Sequence, residues 1–118
     1  VNMQLLNGYH TSIMTLTREE RKRFGIKNGD TEGFVNIPLQ IMGMRLSVFL
    51  TEDTEHPGIV KVSLRSVDDF PCNLMAEEFF NGGGHKNASG GRIQCTMDEA
   101  VECVKQAVNK YRKWLKDV

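Results

Sequence analysis

Ten consecutive residues, Gly82-Gly83-Gly84-His85-Lys86-Asn87-Ala88-Ser89-Gly90-Gly91, hold five of the chain's eleven glycines and two side chains able to carry positive charge. Glycine loses the most conformational freedom on ordering, so such a cluster marks backbone that must take φ > 0 or be approached closely. A phosphate suits that place. Peptide N–H groups of a glycine-rich turn leading into a helix point outward, and the helix dipole adds partial positive charge. Leu74, Met75, Phe79 and Phe80 precede the loop at helical spacing, and Ile93 with Cys95 follows as a short strand, so the loop joins ordered elements. Upstream, Arg65-Ser66 closes a strand. Arginine offers a planar fork that matches two phosphate oxygens, and the serine adds a hydroxyl donor. His85 can clamp phosphate as imidazolium or hydrogen-bond a base as neutral imidazole, the alternative being a turn histidine satisfied by backbone. Lys86 is either a further cation or an ordinary exposed loop lysine.

Reaction chemistry is missing from the pattern. There is no G-x-x-x-x-G-K-[ST], no G-x-G-x-x-G after a strand, no nucleophile elbow, no paired carboxylates and no cluster of Asp and His ligands. His10, in an expected strand, and His56, in an expected turn, have no metal partner at useful spacing. The residues describe a binding site without a reaction centre.

The elements that position it read as follows. Met3, Leu5 and Leu6 before Asn7-Gly8 look like the tail of a helix with a glycine stop, and Val1 is not an initiator methionine, so residues 1–8 are expected to end a linker helix from a larger protein. Tyr9 to Leu16 reads as a strand, and Thr17-Arg18-Glu19-Glu20 is a capping box opening a short helix that stops at Gly25. Asn28-Gly29-Asp30 is a turn, and Thr31 caps a brief helix through Phe34, Val35 and Ile37 that Pro38 and Gly43 interrupt. Arg45–Thr51 and Ile59–Arg65 form the clearest strand pair, joined through a His-Pro-Gly turn. Leu46, Val48 and Leu50 share one face of the first, and Val60, Val62 and Leu64 one face of the second, which sends Lys61, Ser63 and Arg65 to the other side. Asp68-Asp69-Phe70-Pro71 leads into a helix ending near Phe80, the glycine loop follows, and a strand runs from Arg92 to Cys95. Thr96-Met97-Asp98-Glu99 is a second capping box and starts the longest helix, whose apolar stripe is Met97, Val101, Val104, Val108, Tyr111 and Leu115.

With 118 residues the chain is one domain's length, and fifteen basic against fifteen acidic residues give no broad field favouring long nucleic acid or an anionic membrane. Any anion must be held by local geometry. No apolar run approaches a membrane span and no signal sequence opens the chain, so a cytoplasmic protein without membrane partners is expected. Cys72, Cys95 and Cys103 form no even disulfide framework and no C-x-x-C pair, and read as small buried hydrophobes.

Gly82-Gly83-Gly84-His85 followed by Ala88 and Gly90-Gly91, preceded by Val62-Ser63-Leu64-Arg65-Ser66, resembles the C-terminal DHH-associated domain of the DHH phosphoesterases. Within them it is most similar to the bacterial nanoRNase and 3′-phosphoadenosine 5′-phosphate phosphatase branch. Asp30-Thr31-Glu32-Gly33-Phe34-Val35-Asn36 also resembles that branch, so the likeness spans nearly the whole chain in three ordered motifs. The resemblance implies an α+β (α/β) fold, a mixed β-sheet flanked by helices over residues 9–118, in which Arg65, Ser66, Gly82, Gly83, Gly84 and His85 grip the substrate's phosphate. It implies no catalytic or metal-binding residue in this chain, with two manganese ions and the hydrolytic water in an N-terminal DHH domain acting in cis. A short oligonucleotide or nucleotide is the implied substrate. The alternatives are a cyclic-dinucleotide phosphodiesterase domain, a non-catalytic nucleic-acid-binding module like the one ending alanyl-tRNA synthetases, and a purely structural or homodimerising domain.

Overall fold

The computed structural model describes residues 2–27 and 30–116, with no account of the side chains of residues 30–32. The chain order is β1 (Asn2–Leu6), β2 (Thr11–Leu16), α1 (Arg18–Phe24), α2 (Asp30–Ile41), β3 (Leu46–Glu52), β4 (Ile59–Ser66), α3 (Cys72–Phe79), β5 (Gly83–His85), β6 (Ala88–Gln94) and α4 (Met97–Lys110), with a short 3₁₀ turn at Arg112–Trp114. The strands form one six-stranded sheet in the order β1-β2-β3-β4-β6-β5. Only β2 and β3 run parallel, and the crossover between them carries α1 and α2; the other neighbours are antiparallel. This is the mixed sheet flanked by helices that the sequence led us to expect.

Helices cover the two faces unequally. On one face Leu46, Val48, Leu50, Val60, Val62 and Leu64 meet Met75, Ala76 and Phe80 of the α3 segment and Ala100, Val104, Ala107 and Val108 of α4 in the main core. On the other, Met14, Leu16 and Phe49 of β2 and β3 pack beneath Val35 and Phe34 of α2. That second cover stops short. The outward residues of β4, β6 and β5 include Lys61, Arg92, Gly83 and His85, all exposed.

Local chemistry explains most boundaries. Thr17 and Thr96 each accept the N3 backbone N–H while Glu20 and Glu99 reach back to the cap, so both expected capping boxes are present, and Gly25 ends α1 at φ 64. Helix α4 ends at Lys110, and Leu115, the last residue of its expected stripe, is buried beyond the 3₁₀ turn.

Four readings change. Asn2–Leu6 is a strand, not a helix tail: it pairs with Thr11–Thr15 of β2, and Gly8, at φ 82, closes the hairpin instead of stopping a helix. These residues therefore belong to the same sheet as the rest. His10 lies in the turn, at φ 47, and its Nδ1 is 2.8 Å from the Leu115 carbonyl, so the strand begins at Thr11. Pro38 sits inside α2 instead of ending it; proline removes one donor, but its carbonyl still accepts from Met42 at 3.1 Å. Lastly, the glycine segment opens no helix. It leaves α3 through Asn81, at φ 51, and folds into the β5–β6 hairpin. The turn expected at Asn28-Gly29 and the cap expected at Thr31 lie outside the described residues and side chains.

Among the described residues, no helix is long and apolar enough to cross a membrane. The three cysteines are free, Cys72 buried and Cys95 and Cys103 half-buried, and burial raises each thiol's pKa.

Candidate anion-binding site on the open face of the sheet

Residues directly opposite each other on neighbouring strands share a face. Ser47 of β3 pairs with Arg65 of β4, Arg65 with Ala88 of β6, and Ala88 with His85 of β5. Arg65 and His85 therefore stand in one cross-strand row, two strands apart. In the adjacent row Ser63 pairs with Gly90 and Gly90 with Gly83. Helix α2 reaches over β3 to β4, and the exposed end of these rows is on β5, at Gly83 and His85. The sheet thus presents an arginine and a histidine beside a floor of serine, alanine and glycine.

Arg65 is half-buried, and its guanidinium donates to the carbonyls of Leu64 at 2.9 Å and Ser89 at 3.4 Å. These neutral acceptors hold the fork near β6. His85 is exposed at the end of the edge strand.

Ser66 does not join them through its side chain. It pairs with Leu46, on the core face, is 7% exposed, and donates its hydroxyl to the Phe70 carbonyl at 3.0 Å. Asn87 Nδ2 donates to the Ser66 hydroxyl oxygen at 2.9 Å. Ser66 is thus a clasp between the 67–70 turn and the hairpin tip, and strand alternation separates it from Arg65. Lys86 leans the other way, with its ammonium 3.1 Å from Asp69 Oδ1.

The glycines divide by what a Cβ would meet. At Gly82 it would lie 1.9 Å from the Gly90 carbonyl oxygen, and at Gly91 2.1 Å from that of Phe80. At Gly84, φ is +143 and the contacts are Ser89 Cα at 2.7 Å and the Ala88 oxygen at 2.8 Å. These three let β5, β6 and the end of α3 lie against each other. Gly83 differs, because its φ is unstrained and nothing lies within 4 Å of its Cβ position. The fold does not require glycine there.

A second polar group, unremarked in the sequence, lies at the far end of this face. Asp53 is buried, and its carboxylate meets the Arg92 guanidinium at 2.7 Å and the backbone N–H groups of Glu55 at 2.9 Å and His56 at 3.3 Å. The Glu55 N–H is the main cause holding the Asp53 pKa below its ordinary value of 3.8. A depressed carboxylate pKa means stabilisation that is complete above that ordinary value and lost as pH falls through the lower folded-state one. Asp53→Asn is therefore expected to flatten the acid limb of a stability–pH curve below about pH 4, followed by urea unfolding. An unchanged limb would show that other carboxylates set it.

Among the described residues no three His, Cys, Asp or Glu side chains converge as metal ligands, so the residues present do not fit a manganese site. A separate concavity of 390 Å³ lies between β1, β2 and α4 and includes none of the expected site residues.

The chain is thus a mixed sheet with a glycine-floored end that carries an arginine and a histidine. Residues 4–117 match the DHHA1 domain family, and the chain belongs to that family. An exopolyphosphatase-related protein from Bacteroides fragilis matches over 98% of this chain at 52% identity and a TM-score of 0.90, the chain covering 33% of that protein. A Helicobacter pylori 3′,5′-cyclic-nucleotide phosphodiesterase is 31% identical over 70 residues, 54% of this chain and 20% of its own length. The C-Ala domain of Aquifex aeolicus alanyl-tRNA synthetase shares the fold alone, at 8% identity and a TM-score of 0.59, with 92% of this chain and 98% of that one covered. The chain thus spans a third or less of the length of the Bacteroides and Helicobacter relatives.

Proposed function

We propose that this domain holds the phosphate and nucleotide of short oligonucleotides, or of 3′-phosphoadenosine 5′-phosphate, for hydrolysis by an N-terminal DHH domain of the same protein. The manganese and the water-activating groups belong to that domain, since this one lacks a fitting ligand set among its described residues. The observation that carries the reading is the shared row of Arg65 and His85, with Gly83 beside it at the exposed edge of the sheet. Arg65 supplies a charge-assisted fork, His85 a donor, and Gly83 the clearance for a phosphate to reach the sheet. Binding here and chemistry in another domain make turnover depend on the two closing on one substrate.

The name of the Helicobacter relative favours a second reading, a cyclic-nucleotide or cyclic-dinucleotide substrate held by the same residues. One experiment separates them. The isolated domain and the full-length protein are assayed, with and without manganese, for release of nucleotide or phosphate from linear dinucleotides, 3′-phosphoadenosine 5′-phosphate and cyclic dinucleotides. We expect turnover of the linear substrates by the full-length protein and none by the domain. Turnover by homogeneous isolated domain would overturn the division of labour, and exclusive use of cyclic substrates would establish the second reading.

A further inference from the structure

The open face extends beyond Arg65. On β4 its outward residues are Lys61, Ser63 and Arg65; on β6 they are Ala88, Gly90 and Arg92, with Lys61 directly opposite Arg92. Lys61 and Arg65 are four residues apart on one strand, a separation of roughly 13 Å at about 3.3 Å per residue. Between them the row runs from Phe49 of β3, packed beneath α2, through Ser63 to Gly90 and Gly83, so on the β6 and β5 side no large side chain divides the two ends.

The two ends differ in how their charge is compensated. Arg92 is taken up by the buried Asp53, and the neighbouring Glu52 accepts the Arg18 backbone N–H at 2.9 Å. The Lys61 side chain is exposed and makes no hydrogen bond or ion pair among the described residues. It also borders a small polar concavity of 90 Å³ in which Arg21 and Arg92 stand beside Glu52, Asp53 and Glu55. The ammonium at this end is therefore uncommitted, on the same face as the proposed phosphate grip.

We infer that Lys61 is a second phosphate contact that reads substrate length. Stacked nucleotides advance about 3.4 Å each and extended ones more, so phosphates roughly 13 Å apart belong to nucleotides about two to four positions apart. A trinucleotide or tetranucleotide held at Arg65 reaches Lys61 with a distal phosphate, whereas the two phosphates of a single nucleotide do not. Lys61 thus adds affinity for linear oligonucleotides and nothing for mononucleotides. This inference rests on the reading of Arg65 and His85 as the primary grip.

The test uses the full-length protein with 3′-phosphoadenosine 5′-phosphate and linear di-, tri- and tetraribonucleotides as probes, comparing wild type, Lys61→Ala, Lys61→Arg and Arg65→Ala. One phosphate contact contributes a slope of about 0.7 in log K against log salt for single strands, or about threefold to fivefold near physiological salt. Lys61→Ala is expected to raise KM by that factor for the tri- and tetranucleotide, make their salt dependence shallower by about one contact, and leave the mononucleotide unchanged. Lys61→Arg should restore the wild-type pattern. Thermal unfolding should be unaltered, since the side chain is exposed and unpartnered. An equal effect on every substrate, or none on the longer ones, overturns the role of Lys61 while Arg65→Ala still impairs all of them. If Arg65→Ala impairs none, the primary grip itself fails.

Discussion

Gly91→Val and Gly84→Val are expected to cost the domain a substantial part of its stability, whereas Gly83→Ala is expected to leave it folded and lose ligand. A Cβ at Gly91 would sit 2.1 Å from the Phe80 carbonyl oxygen and 3.0 Å from the Phe80 Cβ. Phe80 is fully buried, and its carbonyl accepts the Arg92 N–H at 3.0 Å, so neither partner can move without opening the seam between α3 and β6. Gly84 combines a 2.7 Å contact with backbone of the partner strand and a φ of +143, which a β-branched residue does not readily adopt. Overpacking of this kind removes about 1–3 kcal/mol and sometimes more, a large part of the roughly 5–15 kcal/mol that holds a small domain together. Thermal or urea unfolding of the variants measures it. For Gly83→Ala the midpoint should stay close to wild type, a change within about 0.5 kcal/mol, while the new methyl stands where the phosphate approaches. A wild-type midpoint for Gly91→Val would mean that the hairpin is not seated on α3 as described. Undiminished substrate affinity in Gly83→Ala would remove Gly83 from the site.

Arg65→Ala in the full-length protein is expected to lower kcat/KM by about tenfold to a hundredfold. A hydrogen bond to a charged group contributes roughly 1.5–3 kcal/mol, and each 1.36 kcal/mol is about a factor of ten in rate. In the free domain the guanidinium bonds the backbone carbonyls of Leu64 and Ser89. Loss of a neutral hydrogen bond on a half-buried residue costs about 1 kcal/mol of stability. Arg65→Lys should recover part of the activity, because an ammonium keeps the charge and loses the two-pronged geometry. The readout pairs kcat/KM with unfolding. An Arg65→Ala protein with a lowered melting point and undiminished kcat/KM would make Arg65 a residue that pins β4 to β6 and nothing more.

How much of this could be read without coordinates depends on the range of the interactions involved. Both capping boxes, the Gly25 stop and the inward alternation of β3 and β4 arise within a few residues, and each is found where local pattern puts it. The same alternation placed Lys61, Ser63 and Arg65 together on the opposite face. Where several folds satisfy one local pattern, the reading failed. A short apolar stretch ending in Asn7-Gly8 suits a helix tail or a hairpin equally, and the pairing of Asn2–Leu6 with β2 is what decides it. A glycine run between a helix and a strand suits a helix-opening turn or a hairpin, and here the tight seat against Phe80 and Ser89 selects the hairpin.

The residue types able to bind an anion were legible by themselves: a strand-ending arginine, a histidine and a dense glycine cluster, at spacings that do not depend on the fold. Which of them meet is a tertiary fact. Ser66, adjacent to Arg65 in sequence, is turned away into the clasp with Phe70 and Asn87, while His85, twenty residues on, arrives in the same row. The division of the glycines follows the same rule. Backbone requirements at Gly82, Gly84 and Gly91 come from neighbours distant in sequence or across the hairpin, which no local pattern specifies, and only their positions set Gly83 apart within the glycine cluster as one that the fold itself does not need. The burial of Asp53 against Arg92 was invisible for the same reason, since thirty-nine residues separate them and the sheet register alone brings them together.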